Sequence, residues 1–380
     1  MTTHSVADRS GFVHELLLHT STAEMVELVV AFARDGVAAA EPTLLAVRPE
    51  IATVVRDTVE PAPHLAVLPP VGQPGRPASD LRATDALLAG YLATAPRVRI
   101  LNQEPTVPGS HWHEWRRLEA VVNLALAHHD AWAVCVYDRH ALTANQADDL
   151  CATHPLLWSE GQHRPNDGYQ DPVKFIRKHS DAPPDPVEHT APVVELTDPS
   201  PAAARRAVIG LTQHTGLPAS ESEGLILAAS EAVANALVHG HPPVVLRLWA
   251  QPGRVTATVT DTGDGPTDPF VGLLPAGHPD QPPDDRGLGL WISHQLVDAT
   301  HRRYPGGYTI RMTAAQPHTA GGEGASHPRW RLAGAQPINS VDRLAVSPDA
   351  QIGAFVDAAD TDRAQRVGDR YRPNLRRTRR

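Results

Sequence analysis

A proline- and acid-rich segment divides this chain of 380 residues into two parts with different patterns. Residues 181–194 read DAPPDPVEHTAPVV and contain few apolar side chains, which is typical of a linker. Before this segment, from Gly11 to about Gly161, helical and extended patterns alternate, which favours a mostly parallel sheet covered by helices. After it, two helical patterns precede a hairpin, which favours an α+β sandwich. The sequence therefore predicts two folded units of different class.

The first unit is expected at residues 11–165 and the second at residues 195–315. In the first unit the predicted strands are Thr43–Val47, His64–Leu68, Arg97–Leu101 and Ala131–Tyr137. In the second unit the predicted helices are Ala202–His214 and Glu221–His239, and the predicted strands are Val244–Ala250 and Arg254–Asp261. Residues 335–380 hold only short apolar groups and end in a cluster of arginines, so we expect this tail to be mostly disordered.

The charge balance of the chain limits its partners. The formal net charge is -9 at pH 7, and eight arginines lie within the last twenty residues, so the folded body is more acidic than the total. This argues against general nucleic-acid binding by the body. No apolar run approaches the roughly 20 residues that span a bilayer, and the first ten residues lack the apolar stretch of a signal peptide. We therefore expect a cytoplasmic protein with no membrane partner and no direct nucleic-acid partner.

The first unit offers little sign of a metal site in its local motifs. Cys135 and Cys151 form no CxxC unit, so we expect buried thiols rather than a disulfide or a zinc site. The run from His14 to His19 superficially suggests zinc. On a helix, however, two rings five residues apart diverge, so we expect no zinc site from this pair.

Three polar side chains recur every four residues in the sequence SEAVANALVHG. Glu231, Asn235 and His239 therefore share one face of a predicted helix. A carboxylate can accept a proton, and a carboxamide one turn away can hold a hydrated Mg²⁺, which prefers oxygen ligands. A solvated helix face would give the same pattern, so the triplet alone leaves both interpretations open.

Two glycine-containing motifs follow the triplet. Asp261-Thr-Gly-Asp-Gly265 stands at a strand end, where a carboxylate could accept a hydrogen bond from an adenine amino group; the alternative is a tight acidic turn. Arg286-Gly-Leu-Gly289 opens an apolar helix, whose free N–H groups form an anion site. The intervening residues 266–285 have no periodicity, and so long a loop inside a compact domain is more often a functional lid.

The order of these motifs resembles the GHKL ATPase superfamily over about 120 residues. The resemblance implies that Asn235 holds Mg²⁺ and that Asp261 binds the adenine of ATP. It also implies that four glycines shape the nucleotide pocket, namely Gly263, Gly265, Gly287 and Gly289. We place His239, Arg286 and Leu288 at the same pocket, where Arg286 could stabilise phosphate charge or only fix the lid.

Within this superfamily the chain is similar to anti-sigma-factor serine kinases. The similarity implies that Glu231 is the base that takes the proton of a serine hydroxyl, and that the partner is an anti-sigma-factor antagonist or a sigma factor. One alternative is a switch in which ATP only sets the shape that binds a partner. Another is an atypical sensor histidine kinase acting as a homodimer, for which His113 lies in a sequence that looks like a phospho-acceptor box but lacks its proline.

The first unit resembles the MEDS sensory domain of methanogen and methylotroph regulators. The residues that carry this resemblance are Trp115–Asp138, Gln103–Pro105 and His154-Pro155. The resemblance implies that the unit senses a small-molecule signal. Glu104, Glu119 and Asn123 could line a ligand pocket at the strand ends, or could only cap and bridge neighbouring elements.

Overall fold

A computed structural model describes residues 10–68, 76–107, 109–159, 161–274 and 288–316. Arg286, Gly287, residues 275–285 of the predicted lid and the tail at 335–380 lie outside these ranges. Within the described ranges, none of the helices combines the length and hydrophobicity that crossing a bilayer requires.

The first unit is a mostly parallel sheet with helices between its strands, as the alternating pattern predicts. Its elements are β1 (Val13–His19), α1 (Thr22–Ala38), β2 (Thr43–Ala46), α2 (Pro49–Thr58), β3 (Leu65–Leu68), α3 (Pro77–Leu92), β4 (Val98–Gln103), α4 (Trp112–Ala125), β5 (Ala131–Asp138), α5 (Ala144–Thr153), β6 (Leu156–Ser159), β7 (Gln162–Pro165) and α6 (Pro172–Lys178). The strand order is β3-β2-β4-β5-β1-β6-β7, and only β7 runs antiparallel to its neighbour. The predicted α/β class is therefore confirmed for this unit.

Helix α1 illustrates how the sequence determines one layer of this unit. Ser21 is the N-cap, and its hydroxyl accepts a hydrogen bond from the backbone N–H of Glu24. Met25, Val29 and Phe32 recur at helical spacing and are buried against the sheet. The helix thus presents one apolar face to the strands.

Strand β1 corrects the expectation that the run from His14 to His19 is helical. It lies in the middle of the sheet, paired in parallel with β5 on one side and β6 on the other. Residues five apart on a strand point to opposite faces. His14 and His19 are therefore on opposite sides of the sheet, and the reason that they form no pair is the strand rather than a helix.

The second unit packs helices on one face of an antiparallel sheet. Its elements are β8 (Val194–Thr197), α7 (Pro201–Thr212), α8 (Ala219–His239), β9 (Val245–Gln251), β10 (Arg254–Asp261), α9 (Leu288–Leu296), β11 (Asp298–Tyr304) and β12 (Gly307–Ala315). The strand order is β11-β12-β10-β9-β8. The predicted α+β class is confirmed.

Alternation along β10 fixes which face of this sheet meets the helices. Val255, Ala257 and Val259 are buried in the same hydrophobic cluster as Ala232 and Val233 of α8. Because side chains alternate along a strand, the threonines between them point to the other face. This packing fixes the position of α8 over the sheet. It therefore also fixes the polar stripe of α8, formed by Glu231, Asn235 and His239, relative to the carboxyl end of β10.

The predicted linker is ordered against the second sheet. A single 3-10 turn at Pro186–His189 is closed by a reciprocal capping box between Asp185 and Glu188. Asp185 also accepts a hydrogen bond from Arg254 at 2.6 Å, and the backbone N–H of Ala182 donates to the carbonyl of His301 at 2.7 Å. The acidic residues that are typical of a flexible linker here form ion pairs with arginines of the sheet, Asp185 with Arg254 and Glu188 with Arg302.

Candidate functional site

Helix α8 and the start of α9 meet at the polar stripe. Glu231 and Asn235 are half-buried. A Cβ atom built on Gly289 would lie 2.6 Å from Oε2 of Glu231 and 3.3 Å from Nδ2 of Asn235. No side chain fits at position 289 while these two residues keep their places. The structure therefore brings three of the predicted site residues together at the amino end of α9.

A groove runs beside α8 from Gly289 at one end to Asp261 at the other. Asp261 lies where β10 ends. Its side chain is buried, and Oδ1 accepts hydrogen bonds from the backbone N–H of Gly263 at 2.7 Å and of His241 at 3.3 Å. Two fixed donors hold the carboxylate in one orientation. Among the described residues, no hydrogen bond reaches Oδ2, which leaves this oxygen as an acceptor for a ligand.

The end of α8 also contacts Asp261. A Cβ atom on Gly240 would lie 2.6 Å from Oδ1 of Asp261, so the chain passes directly against the carboxylate. Nine residues separate Glu231 from Gly240, a rise of roughly 13 Å along a helix. The groove beside α8 therefore has two chemically different ends, one at Gly289 and one at Asp261.

Gly265 forms a close contact beneath the Asp261 end. Its φ is +70°, and a Cβ atom there would overlap the ring of Tyr308. The Tyr308 hydroxyl in turn contacts Nδ1 of His301, whose Nε2 lies 2.7 Å from Nε2 of His294. Burial lowers the pKa of His294 to about 3, with a further contribution from the positive charge of Arg117. The layer under the groove is thus a neutral, buried chain of two imidazoles and a phenol.

The first part of the predicted lid is folded and attached at both sides. Arg303 donates to the carbonyls of Asp264, at 3.2 Å, and Pro266. Arg117 of the first unit donates to the carbonyl of Pro269 at 3.4 Å. Leu273 is buried in a hydrophobic cluster that otherwise belongs to the first unit. The described part of the lid, residues 266–274, therefore rests on the first unit.

The remaining predicted site residues are distributed as follows. His239 is exposed at the end of α8, and it makes no side-chain hydrogen bond or ion pair to another described residue. Leu288 begins α9, and Arg286 and Gly287 lie outside the described residues. Sequence reasoning missed the contacts of Gly240, His241 and Tyr308 with the site. Gly240 follows the polar stripe directly, so its position was a visible signal.

The first unit contains a cavity of about 90 Å³ beside α4. Glu104 and Glu119 both line it, together with His14 and Cys135. Burial raises the pKa of Glu119 to about 7 and raises that of Glu104 well above its usual range, the latter also because Glu119 is nearby. Asn123 is not part of the cavity lining; it bonds instead to His14 and to the carbonyl of Thr153. Two of the three predicted residues are therefore at the cavity.

Comparisons with known proteins match the two units to different families. Residues 195–314 match the family described as histidine kinase-like ATPase domain. Residues 13–155 match the methanogen/methylotroph, DcmR sensory domain, abbreviated MEDS. No curated protein matches the chain.

A search of solved structures returns the NMR structure of the histidine kinase domain of the Escherichia coli osmosensor EnvZ. The sequence identity is 18% and the TM-score is 0.20; the match covers 36% of this chain and 98% of the other. At this TM-score the match supports no argument beyond the family matches. The chain carries a MEDS sensory domain at residues 13–155 followed by a GHKL-type, histidine kinase-like ATPase domain at residues 195–314.

Proposed function

We propose that this signal-responsive, kinase-like protein is a bacterial regulator that phosphorylates a serine of an anti-sigma-factor antagonist, or that binds the sigma factor itself. The contact between Glu231 and Gly289 is the observation that supports this proposal most directly. It puts a carboxylate beside the helix start where phosphates bind in nucleotide sites of this kind. A base at this position is suited to a hydroxyl acceptor.

The groove fits ATP and Mg²⁺ at both ends. At Gly289 the Glu231 carboxylate and the Asn235 carboxamide take the space of a side chain, so Asn235 would offer its carboxamide to Mg²⁺ beside the backbone N–H groups of the α9 start, which would receive phosphate oxygens. At the other end Asp261 keeps Oδ2 as an acceptor for the adenine amino group. When bound, ATP supplies the γ-phosphoryl group and Mg²⁺ neutralises its charge.

Glu231 would then act as the base. The serine oxygen forms a bond to the γ-phosphorus while the bond from that phosphorus to the β,γ-bridging oxygen breaks, so ADP is the leaving group. The serine proton passes to the Glu231 carboxylate. Because Glu231 lies beside Gly289, its carboxylate would be available to a hydroxyl brought to the phosphate end of the groove. Phosphoryl transfer otherwise depends on positioning and on charge neutralisation.

The contacts of the lid support regulation by the MEDS domain. Leu273 and Arg117 attach residues 266–274 to helices of that domain. Helix α3 packs against α9, and Arg76 at the start of α3 forms an ion pair with the buried Glu221 of α8. A signal that shifts α3 or α4 would therefore move elements on both sides of the nucleotide groove. The small-molecule cavity beside α4 is the place where such a signal could act.

The histidine kinase alternative has less support. His113 is 5% exposed and its Nδ1 lies 2.8 Å from the Glu114 carboxylate. A phospho-acceptor must reach the γ-phosphate, and a buried ring cannot do so without partial unfolding of α4. We therefore favour transfer to a partner protein.

The experiment compares two variants of the full chain with radiolabelled ATP and a candidate antagonist encoded beside it. Glu231→Gln should keep ATP binding and lose transfer to serine, whereas Asp261→Asn should weaken ATP binding about 10- to 100-fold. A non-catalytic switch would instead keep partner capture in Glu231→Gln and lose it in Asp261→Asn. Tight ATP binding by the wild-type chain without transfer to any antagonist would rule out the kinase proposal. Acid-labile phosphate on His113 would favour the histidine kinase.

A further inference from the structure

Four side chains with metal-binding atoms converge inside the MEDS domain. They are His14 on β1, Glu119 on α4, Cys135 on β5 and His154 just after α5, and all four are buried. One ligand atom from each lies within 4.8 Å of the other three. Because they come from four different elements, the fold rather than a local motif brings them together.

The spacing of these atoms suits a tetrahedral ion. Nε2 of His14 lies 3.3 Å from Sγ of Cys135 and 3.5 Å from Oε2 of Glu119. Nε2 of His154 lies 3.4 Å from the same Oε2. For metal–ligand distances of about 2.0 Å to nitrogen or oxygen and 2.3 Å to sulfur, the edges of the tetrahedron are about 3.3–3.6 Å. The two nitrogen–oxygen distances lie within about 0.2 Å of their edge, and the nitrogen–sulfur distance is about 0.3 Å shorter than its edge.

Hydrogen bonds orient the His14 ring toward the cluster. The carboxamide nitrogen of Asn123 donates to the carbonyl of Thr153 at 2.8 Å, which identifies its Oδ1 as an acceptor. Nδ1 of His14, 3.2 Å from that oxygen, must therefore donate. In a neutral ring this leaves a lone pair on Nε2, the atom that faces Cys135 and Glu119.

His154 is arranged in the same way. Its Nδ1 donates to the carbonyl of Leu150 at 2.8 Å. Its Nε2 is buried and, within the described residues, has no hydrogen-bond partner. A buried nitrogen lone pair that meets only another acceptor is costly unless a proton or a cation lies between them. An imidazole held through its second nitrogen is also the usual arrangement of a histidine ligand.

Glu119 is oriented by a second layer of contacts. Its Oε1 accepts from the hydroxyl of Tyr137, and that hydroxyl accepts from the indole N–H of Trp115 at 2.7 Å. These bonds leave Oε2 directed at both histidines. The four-atom group thus contains three acceptors, and its one possible donor, the thiol of Cys135, also forms a hydrogen bond with the side chain of Glu104.

We propose that His14, Glu119, Cys135 and His154 bind one zinc-class divalent cation inside the MEDS domain. Two imidazoles, a thiolate and a carboxylate form a ligand set typical of Zn²⁺, and the cation replaces the missing donors. Binding releases the Cys135 proton. The ion would lie at the wall of the cavity beside α4, since three of its ligands line that cavity. A competing arrangement is a protonated Glu119 with no metal.

A second group, Asp85, His128 and His129, provides an internal comparison. It also has three possible ligand atoms within 4.8 Å, but His128 is exposed and the group contains no sulfur. Weak binding at this surface group would be distinguishable because it cannot give a metal–thiolate signal.

The decisive experiment is Co²⁺ titration of the full chain after removal of metals with a chelator. Binding to Cys135 gives a thiolate-to-cobalt charge-transfer band. The Cys151→Ser variant should keep the whole band at one equivalent, because its remaining cysteine is Cys135. Cys151 is half-buried and outside the proposed site, so this variant does not disturb the ligands.

Ligand variants then assign the site. Cys135→Ser should abolish the band, and His154→Gln should reduce Zn²⁺ retention, measured by mass spectrometry, to below 0.1 equivalent. The second-layer variant Asn123→Ala should weaken affinity by about 10- to 100-fold. His128→Gln, the matched surface control, should change neither result. Circular dichroism of each variant checks that it is folded.

The wild-type result alone can overturn the proposal. If neither the wild-type chain nor Cys151→Ser gives a thiolate band with excess Co²⁺, the cluster holds a proton and no metal. This outcome would leave the proposal of ATP binding by the second domain intact, because the two sites share no residues. Equal Zn²⁺ retention in wild type and folded His154→Gln would also contradict the assignment.

Discussion

Gly289 and Glu231 touch at a position where even a methyl group would not fit, since a Cβ on Gly289 would lie 2.6 Å from the carboxylate oxygen. The obstacle is the end of a flexible side chain, so we expect Gly289→Ala to fold normally and to displace Glu231. ATP affinity should fall at least tenfold, because the new methyl group blocks the approach of phosphate. Isothermal titration calorimetry measures the affinity, and thermal unfolding checks the fold.

Gly210→Ala is the matched control for this variant. Gly210 lies in α7 and a Cβ there would have no neighbour within 4 Å. We expect unchanged ATP affinity and a gain in stability of about 0.4–1 kcal/mol, because alanine restricts the unfolded chain. Equal affinity in Gly289→Ala and Gly210→Ala would contradict the assigned role of the α9 start.

Asp261→Asn should weaken recognition of the adenine ring of ATP without changing the residues at the phosphate end of the groove. Asparagine can keep the hydrogen bonds from the N–H groups of Gly263 and His241 through Oδ1, but it places an NH₂ donor where Oδ2 is free to accept from the adenine amino group. We expect ATP affinity to fall about 10- to 100-fold and the preference for ATP over GTP to decrease. Competition titrations with both nucleotides test this. The exposed Asp264→Asn should leave both values unchanged.

Leu273→Ala should uncouple the lid from the MEDS domain. Leu273 is 2% exposed in a cluster with Phe175 and Ile176, so the substitution leaves a cavity at this contact. We expect a loss of about 2–4 kcal/mol in local stability and faster amide exchange over residues 266–274. Hydrogen-exchange mass spectrometry with and without ATP measures the exchange rate of this segment. Ile209→Ala, at an exposed position of α7, is the control.

The paired histidines of the second domain predict acid sensitivity. Burial holds the pKa of His294 at about 3 and that of His301 well below its usual range, so both rings are neutral in the folded state. In the unfolded chain each titrates near pH 6.5, and below that pH the unfolded state binds more protons. The free energy of unfolding should therefore fall as the pH drops from 6.5 toward 3, by about 1.4 kcal/mol per pH unit for each ring.

Urea unfolding at pH 7, 6 and 5 measures this slope. His294→Gln removes one of the titrating rings, so its slope below pH 6 should be shallower by about one proton. Ser293→Ala changes a buried neighbour on the same helix that does not titrate. It should shift the stability at every pH and leave the slope as in wild type. Identical slopes in His294→Gln and wild type would contradict the assignment.

The ATPase domain was largely predictable because its pattern is local. The strand at Arg254–Asp261 was predicted at both ends, and α8 within two residues of its start. The strands β11 and β12 were not predicted, although they pair along their whole length. Strand β12 has the same alternation of apolar and polar residues as β10, so it was predictable from the sequence. Strand β11, DATHRRY, has no repeated apolar residue to indicate a strand.

Strand β1 was missed for a different reason. It carries Glu15, a charged residue, at the centre of the first sheet. The structure compensates that charge with hydrogen bonds from His163, at 2.9 Å, and from the indole of Trp132. These partners are more than a hundred residues away in sequence, so no local pattern could reveal them. The cluster around His14 was hidden by the same kind of long-range assembly.

Strand β8 has a consequence for the joint between the two domains. It begins at Val194, the last residue of the segment predicted as a linker, and forms the outer strand of the ATPase sheet, paired with β9. Cutting the chain at Pro201 would remove β8 and make β9 the edge strand, so an edge of seven residues would replace one of four. Longer edge strands pair more readily with other chains. The connector thus keeps a short strand at this edge of the sheet, and the ATPase domain would need to retain it in any rearrangement of domains.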